Sequence, residues 1–373
     1  MRKLIILMLL CSTFPVFAQE HEEPKTLEPG AKAIDFNLKG TDDKMYSLSS
    51  FKDKDILIII FSAPHCPTSQ IYQDRIISIQ KEYRDKGVQV VMINPNNPDS
   101  MALEERGYTD VGDSFEDMKI RAKDKGYNFP FLYDGETVET SFKYGPVSTP
   151  HTFVFDKGRV LRYVGRIDDS VEEEEVTQQD LRNALDAILD GKEVNPKQTK
   201  VIGCSVKWKW KTDHKNNNDK WWANHKVLFE EISGSDLKKL VQNNTDKLRV
   251  INVWATWCGP CVSEFSELID TYRMYMWRDL EMYTINIDRI EKKDKVHKFL
   301  LDKHAAFNNN YIFGSGNTYE LIENIDPEWQ GNIPHTIIVE PGGKIVWRQS
   351  GALDFFELRK QIVDNRLLGR YFN

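Results

Sequence analysis

The chain has 373 residues, of which 40% are apolar and 29% charged, with a formal net charge of −7. Its length predicts two domains, and its composition excludes a wholly disordered or membrane-embedded protein. The acidic balance excludes a general attraction for nucleic acid and favours solubility.

The chain opens on Arg2 and Lys3, then the apolar run of residues 4–10, and Val16-Phe17-Ala18 supplies residues that a signal peptidase reads. Residues 1–18 are expected to be a cleaved secretory signal, because a membrane span needs about 20 apolar residues. Cys11 follows Leu9-Leu10 rather than a small residue, which argues against a lipid anchor. No later segment is apolar enough to span a bilayer. The protein is therefore expected to be exported, periplasmic in a double-membraned bacterium, with no stable membrane insertion after cleavage. Cys66, Cys204, Cys258 and Cys261 remain beyond the signal, and four cysteines allow three pairings. They are too few for a disulfide scaffold of this length and read as chemical.

A first unit is expected over residues 28–191. Residues 55–61 (DILIIIF) read as a buried parallel strand, residues 68–86 as a helix, and residues 88–93 as a second buried strand. A loop follows at residues 94–98, then an amphipathic helix at 113–125. Residues 152–155 and 160–164 predict a hairpin around Asp156-Lys157-Gly158, and a helix at 178–189 stops near Gly191. Residues 192–226 read as a connector rich in Trp, holding Trp208, Trp210, Trp221 and Trp222. These tryptophans are expected to pack the connector onto a domain, an exposed recognition surface being the alternative.

The second unit, residues 227–373, repeats the first. A buried strand at 249–254 runs into a cysteine motif, and a helix follows to Arg278. A strand at 281–287, a helix at 291–303, a hairpin at 336–348 and a closing helix at 355–367 complete it. Pro150-His151-Thr152-Phe153 corresponds to Pro334-His335-Thr336-Ile337, which points to an internal duplication. Alternating strands and helices predict an α/β fold with a central mixed sheet covered by helices.

Cys258-Gly259-Pro260-Cys261 is the strongest site. At a helix start, unpaired amides and the helix dipole favour the Cys258 thiolate. That thiolate can attack a substrate disulfide, and Cys261 can then release the reduced product. A zinc half-site is the alternative, but it needs a second ligand pair that the chain lacks. No metal or cofactor is expected.

The segment VINVWATWCGPC, residues 250–261, resembles the thioredoxin active site, and Ile333-Pro334 resembles that superfamily's cis-proline. The 76 residues from Cys258 to Pro334 resemble the exported TlpA/ResA-type branch, which carries an inserted helix and strand. Members of that branch have an acidic residue three positions after the second cysteine, and Glu264 stands there. Asn252 stands where minimal thioredoxins keep a buried Asp, so the resemblance nominates Glu264 as the proton-handling group. It also implies a groove shaped by Pro334, disulfide-bearing protein substrates and an upstream thiol reductant, membrane-embedded reductants included.

The first unit resembles the redoxin (AhpC/TSA-like) branch, close to peroxiredoxin-like proteins, through His65-Cys66-Pro67, Gly112-Asp113-Ser114-Phe115 and Tyr144–His151. The whole chain is thus expected to be two tandem thioredoxin-like domains. Cys66 lines up with Cys258, and Ser69 with Cys261. Ala63 and Ile59 stand where peroxiredoxins place Thr or Ser and Pro. With Cys258 and Cys261 paired, Cys66 and Cys204 remain. The expectation is that Cys66 reacts first, Cys204 resolves it, and the second domain relays electrons to the pair. The alternative is two isolated thiols in a partner-binding module. The function expected is a thiol–disulfide oxidoreductase working as a reductase. A thiol peroxidase using Cys66 is the first alternative. A copper metallochaperone is the second, although such proteins carry CxxxC and a distant His.

Overall fold

A computed structural model describes residues 22–371. The expected export signal, with Cys11, lies outside the described residues.

The first unit contains β1 (Leu38–Gly40), β2 (Met45–Tyr46), β3 (Ile56–Phe61), β4 (Val88–Asn94), β5 (Phe131–Tyr133), β6 (Ser148–Thr149), β7 (His151–Phe155) and β8 (Leu161–Gly165). Its helices are α1 (Pro67–Tyr83), α2 (Phe115–Lys125), α3 (Glu139–Tyr144) and α4 (Asp180–Leu189). Among the described residues, seven strands form one sheet in the order β2-β1-β5-β4-β3-β7-β8. β3 and β4 run parallel, and β7 runs antiparallel to β3. The unbroken apolar run of β3 follows from its central place. Ile56, Ile58 and Ile60 face one layer with Ile76 and Ile79 of α1 and Leu181 of α4. Leu57, Ile59 and Phe61 face the other with Phe153, Phe155 and Tyr144. Each such buried side chain contributes roughly 1.5–3 kcal/mol.

The connector carries two elements, β9 (Cys204–Ser205) and α5 (Asp213–Ala223). β9 pairs with β6. Trp208 is buried beside Val138 and stacks on Trp210 over Phe142 of the first unit. Trp222 enters the core of the second unit. The sequence Asp-His-Lys-Asn-Asn-Asn has little helix propensity. α5 forms because Trp222 is buried and Asp219 pairs with Arg273.

The second unit has β10 (Phe229–Glu231), β11 (Leu248–Trp254), β12 (Leu280–Asn286), β13 (Asn309–Ile312), β14 (His335–Glu340) and β15 (Lys344–Ser350). Its helices are α6 (Gly234–Gln242), α7 (Gly259–Tyr275), α8 (Lys293–Asp302), α9 (Thr318–Ile325) and α10 (Phe355–Val363). The described sheet runs β10-β13-β12-β11-β14-β15. β11 again lies parallel to its neighbour β12 and antiparallel to β14. The expected helix after the CGPC motif ends at Tyr275, short of Arg278. Both units are thus mixed sheets under helices, with one thioredoxin-like plan used twice.

The units touch around the far end of α7 and the C-terminal segment beside it. Tyr275 donates its hydroxyl to the Thr109 carbonyl at 2.5 Å, and Arg278 bonds the Gly107 carbonyl at 2.5 Å. Arg273 pairs with Glu104 at 2.9 Å. Arg370 reaches Asp110 at 2.7 Å and Gln70 at 2.8 Å. Asp110 is fully enclosed and also bonds Arg121, so two guanidinium groups hold its carboxylate. They outweigh the burial that opposes ionisation and hold Asp110 below the usual carboxylate range.

Candidate active site

The second unit builds its centre where β11 ends. Cys258 is the N-cap of α7, and its sulfur accepts a hydrogen bond from the Cys261 amide at 3.3 Å. Pro260 lies in the first turn, where a missing N–H is no loss. Cys258 and Cys261 are joined in a disulfide. Cys261 is 1% exposed and Cys258 6%, while the adjoining Trp257 is 62% exposed. The outer sulfur therefore sits beside an open apolar surface, and the inner one is enclosed.

Two acidic residues serve this loop differently. Asp288 is buried and accepts from the Thr256 amide at 2.7 Å and the Thr256 hydroxyl at 2.8 Å, which braces the turn before Cys258. Glu264 lies one turn beyond Cys261 on the same side of α7. Its Oε2 accepts from the Leu353 amide at 3.0 Å. Its Oε1 is buried without a hydrogen-bond partner. Burial raises its pKa above the ordinary glutamate value, against the Leu353 hydrogen bond. Asn252 is buried and donates to Thr336 at 2.9 Å, so no carboxylate occupies that place on β11. The Ile333–Pro334 peptide is cis. Val253 pairs with His335, which sets Pro334 at the cysteine end of the sheet. His335 stacks on Trp329 and bonds Ser350 at 2.8 Å, a packing role.

The first unit repeats these parts with different chemistry. Cys66 is the N-cap of α1 and accepts from the Ser69 amide at 3.4 Å. Pro67 opens the helix. Thr149–Pro150 is cis, and the Thr149 carbonyl lies 3.1 Å from the Cys66 sulfur. Where Asp288 braces the second loop, Asp113 braces the first, accepting from the His65 amide at 3.0 Å. Asp113 also bonds the His65 ring at 2.6 Å and accepts from Asn96 at 2.7 Å. His65 and Asp113 are both almost wholly buried. Burial opposes a charged imidazolium, but Asp113 outweighs it and raises the His65 pKa.

Cys204 meets Cys66. The β6–β9 bridge sets Cys204 opposite Thr149, and its thiol hydrogen-bonds the Cys66 sulfur. Burial opposes ionisation of Cys66, but Cys204 and then His65 overcome it, and its pKa falls to about 5. The hydrogen bond to Cys66, with burial behind it, raises that of Cys204. Both shifts favour the proton on Cys204 over Cys66.

The structure therefore brings Cys258, Cys261, Glu264 and Pro334 into one region, and Cys66 and Cys204 into another. Sequence reasoning passed over Asp113, Asn96 and Asp288. Asn96 and Asp288 were signalled by polar residues directly after buried strands, in the Asn94–Asn97 loop and at Asn286–Asp288, and Asp113 lies in the Gly112–Phe115 segment before α2. Among the described residues no cluster of His, Cys, Asp or Glu is placed to hold a metal, and no helix is long and apolar enough to cross a membrane.

The AhpC/TSA family matches this sequence twice, over residues 29–164 and 225–348. The chain belongs to the AhpC/TSA family. The thiol–disulfide oxidoreductase ResA of Bacillus subtilis (strain 168) is 26% identical over 136 residues, covering 33% of this chain and 71% of ResA. An uncharacterised conserved protein from Geobacillus kaustophilus is 35% identical with a TM-score of 0.45, covering 51% of this chain and 96% of that one. A hypothetical protein from Sinorhizobium meliloti 1021 is 31% identical with a TM-score of 0.45, covering 50% of this chain and 98% of that one. This family member is a redoxin of the thioredoxin superfamily and, by class, a thiol–disulfide oxidoreductase.

Proposed function

We propose that the protein is exported and reduces protein disulfides through Cys258 and Cys261. The carrying observation is Cys258 at the start of α7, beside the exposed Trp257 and disulfide-bonded to the enclosed Cys261, with the unpartnered Glu264 oxygen one turn away. Cys258 attacks the substrate disulfide and forms a mixed disulfide. Cys261 loses its proton toward Glu264, attacks Cys258, and releases the substrate as a thiol. The proton position follows from the buried carboxylate, whose raised pKa lets it accept and return a proton nearer neutrality. Trp257 and the strand edge at Pro334 would hold the substrate chain. An upstream dithiol would then restore Cys258 and Cys261.

Cys66 and Cys204 form a second exchange pair in this reading. α7 is 17 residues long, about 25 Å, and the first unit touches it at the end away from Cys258. That separation favours electron transfer between two chains, or after undocking, over transfer within one docked chain.

The test is a glutathione redox titration with disulfides mapped by mass, beside insulin reduction by wild type and Cys258→Ser. The expected result is one couple at Cys258–Cys261, a separate couple at Cys66–Cys204, and loss of insulin reduction in the variant. Insulin reduction that survives Cys258→Ser would overturn the reading. A thiol peroxidase is the second reading, favoured by the lowered pKa of Cys66. It requires peroxide consumption that Cys66→Ser abolishes.

A further inference from the structure

The first centre carries a cover that is part of the chain, and among the described residues no strand pairs beside the second centre in the same way. Residues 203–207 run along the strand edge that precedes the cis-proline. Cys204 and Ser205 pair with Thr149 and Ser148. Gly203 lies so close that a Cβ there would stand 2.0 Å from the Thr149 carbonyl oxygen. Backbone therefore presses on backbone, and only glycine fits. Beyond the bridge, Lys207 is clamped on both sides of its peptide. Its amide donates to the Asn96 side chain at 2.8 Å, and its carbonyl accepts from the Asn97 amide at 2.9 Å. Trp208 then locks the segment by burial against the first unit.

This is how an extended peptide adds to an exposed sheet edge: main-chain hydrogen bonds give the hold, and one side chain faces the reactive group. Here that side chain is Cys204, and the reactive group is Cys66. Cys66 has 0% exposure, whereas Cys204 keeps an exposed part. The same Asn96 that clamps Lys207 also bonds Asp113, the partner of His65. The seat of the strand and the charge beside Cys66 are thus one network.

We propose that residues 203–207 are a tethered occupant of the first unit's peptide groove, so that external thiols and disulfides reach this centre through Cys204, with Cys66 as the enclosed partner sulfur. The proposal rests on the reading that Cys66 and Cys204 exchange as a pair. In the reducing direction, one thiolate of an external dithiol attacks the Cys204 sulfur. The Cys204–Cys66 bond breaks, and its electron pair leaves on Cys66 as a thiolate beside His65. The second external thiolate attacks its own partner sulfur in the mixed disulfide, and Cys204 departs and takes up a proton. The dithiol is oxidised by two electrons and the pair is reduced by two. A low-pKa thiol leaves faster, which suits Cys66 to the leaving position. While the strand is seated, a folded protein disulfide is shut out from Cys66.

The experiment begins with the oxidised full-length chain carrying Cys258→Ser and Cys261→Ser. Glutathione is added, and N-ethylmaleimide stops the reaction before peptide mapping. The expected product carries glutathione on Cys204 and maleimide on Cys66. Glutathione on Cys66 would overturn the route. A second arm uses no disulfide. Iodoacetamide alkylation of Cys66 in the reduced protein is compared with the Gly203→Val variant, whose strand cannot seat. Cys66 should react roughly tenfold faster in the variant, because thiol reactivity follows exposure. An unchanged rate in a folded variant would overturn the covering role. If Gly203→Val does not fold, the mapping arm on the parent chain still decides the route. If no Cys66–Cys204 disulfide forms at all, the exchange reading fails, while the alkylation arm still judges the strand.

Discussion

The two cysteine centres are the same construction finished in two ways. Each places a cysteine at a helix N-cap, sets a proline in the first helical turn, braces the loop with a buried Asp, and faces a cis-proline strand. In the second unit the partner sulfur is three residues along the same helix, and among the described residues no strand pairs with the segment before Pro334. In the first unit Ser69 stands in that place, and the second sulfur arrives on the connector, along the strand edge itself. Where the partner sulfur sits decides whether the groove is open. The charge beside the cysteine differs as well: Trp257 precedes Cys258, and His65 precedes Cys66.

The largest expected effect comes from the reactive sulfur of the open centre. Cys258→Ser should remove insulin reduction, while Cys66→Ser leaves most of it. Equal losses would mean that the centres act as one unit and would break the comparison. Next come the two bracing carboxylates. Asp113 carries a buried charge partner, and breaking such a pair costs about 3–5 kcal/mol. Asp288 offers hydrogen bonds to Thr256, and leaving those donors unsatisfied costs about 1–3 kcal/mol. Urea unfolding of Asp113→Ala and Asp288→Ala should reproduce that order.

A third effect separates the thiols by pH. Thiolate absorbance at 240 nm should give Cys66 a midpoint near 5, since its pKa is pulled to about 5. His65→Asn removes a cation, so the thiolate loses support and the midpoint should rise; Cys204→Ser should raise it too. The other charged neighbours are Asp113, held on His65, and Lys207, paired with Glu105 at 2.8 Å. The smallest effect is expected at Glu264→Gln, a several-fold slower release of substrate by Cys261. Its pH profile should lose the upper-acid limb that the raised Glu264 pKa supplies. An unaltered profile would reduce Glu264 to a hydrogen-bond partner of Leu353.

Much of this was legible in the residues. The apolar runs around Ile58 and Ile251 could only be strands covered on both faces, and Pro150 and Pro334 marked matching points of the repeat. The spacing of Cys258 and Cys261 pointed to the disulfide that joins them. The short strands Phe131–Tyr133 and Asn309–Ile312 were not legible, because their pairing partners on both sides rather than their own sequence make them strands. α5 was hidden by its asparagines and exists through the burial of Trp222. The meeting of Cys66 with Cys204 was reached by elimination, and its geometry could not be. It depends on Gly203 lying against Thr149, a contact across more than fifty residues that no local pattern encodes.

The docking of α7 has a consequence for how that helix breathes. Its final turn is fastened by Tyr275 and Arg273 to the neighbouring unit, whereas its first turn is capped by Cys258 alone. Deuterium should enter the amides near Cys261 through brief local openings, and those near Tyr275 only when the whole protein unfolds. The helix then has a guarded end and a supple end, and the chemistry sits on the supple one.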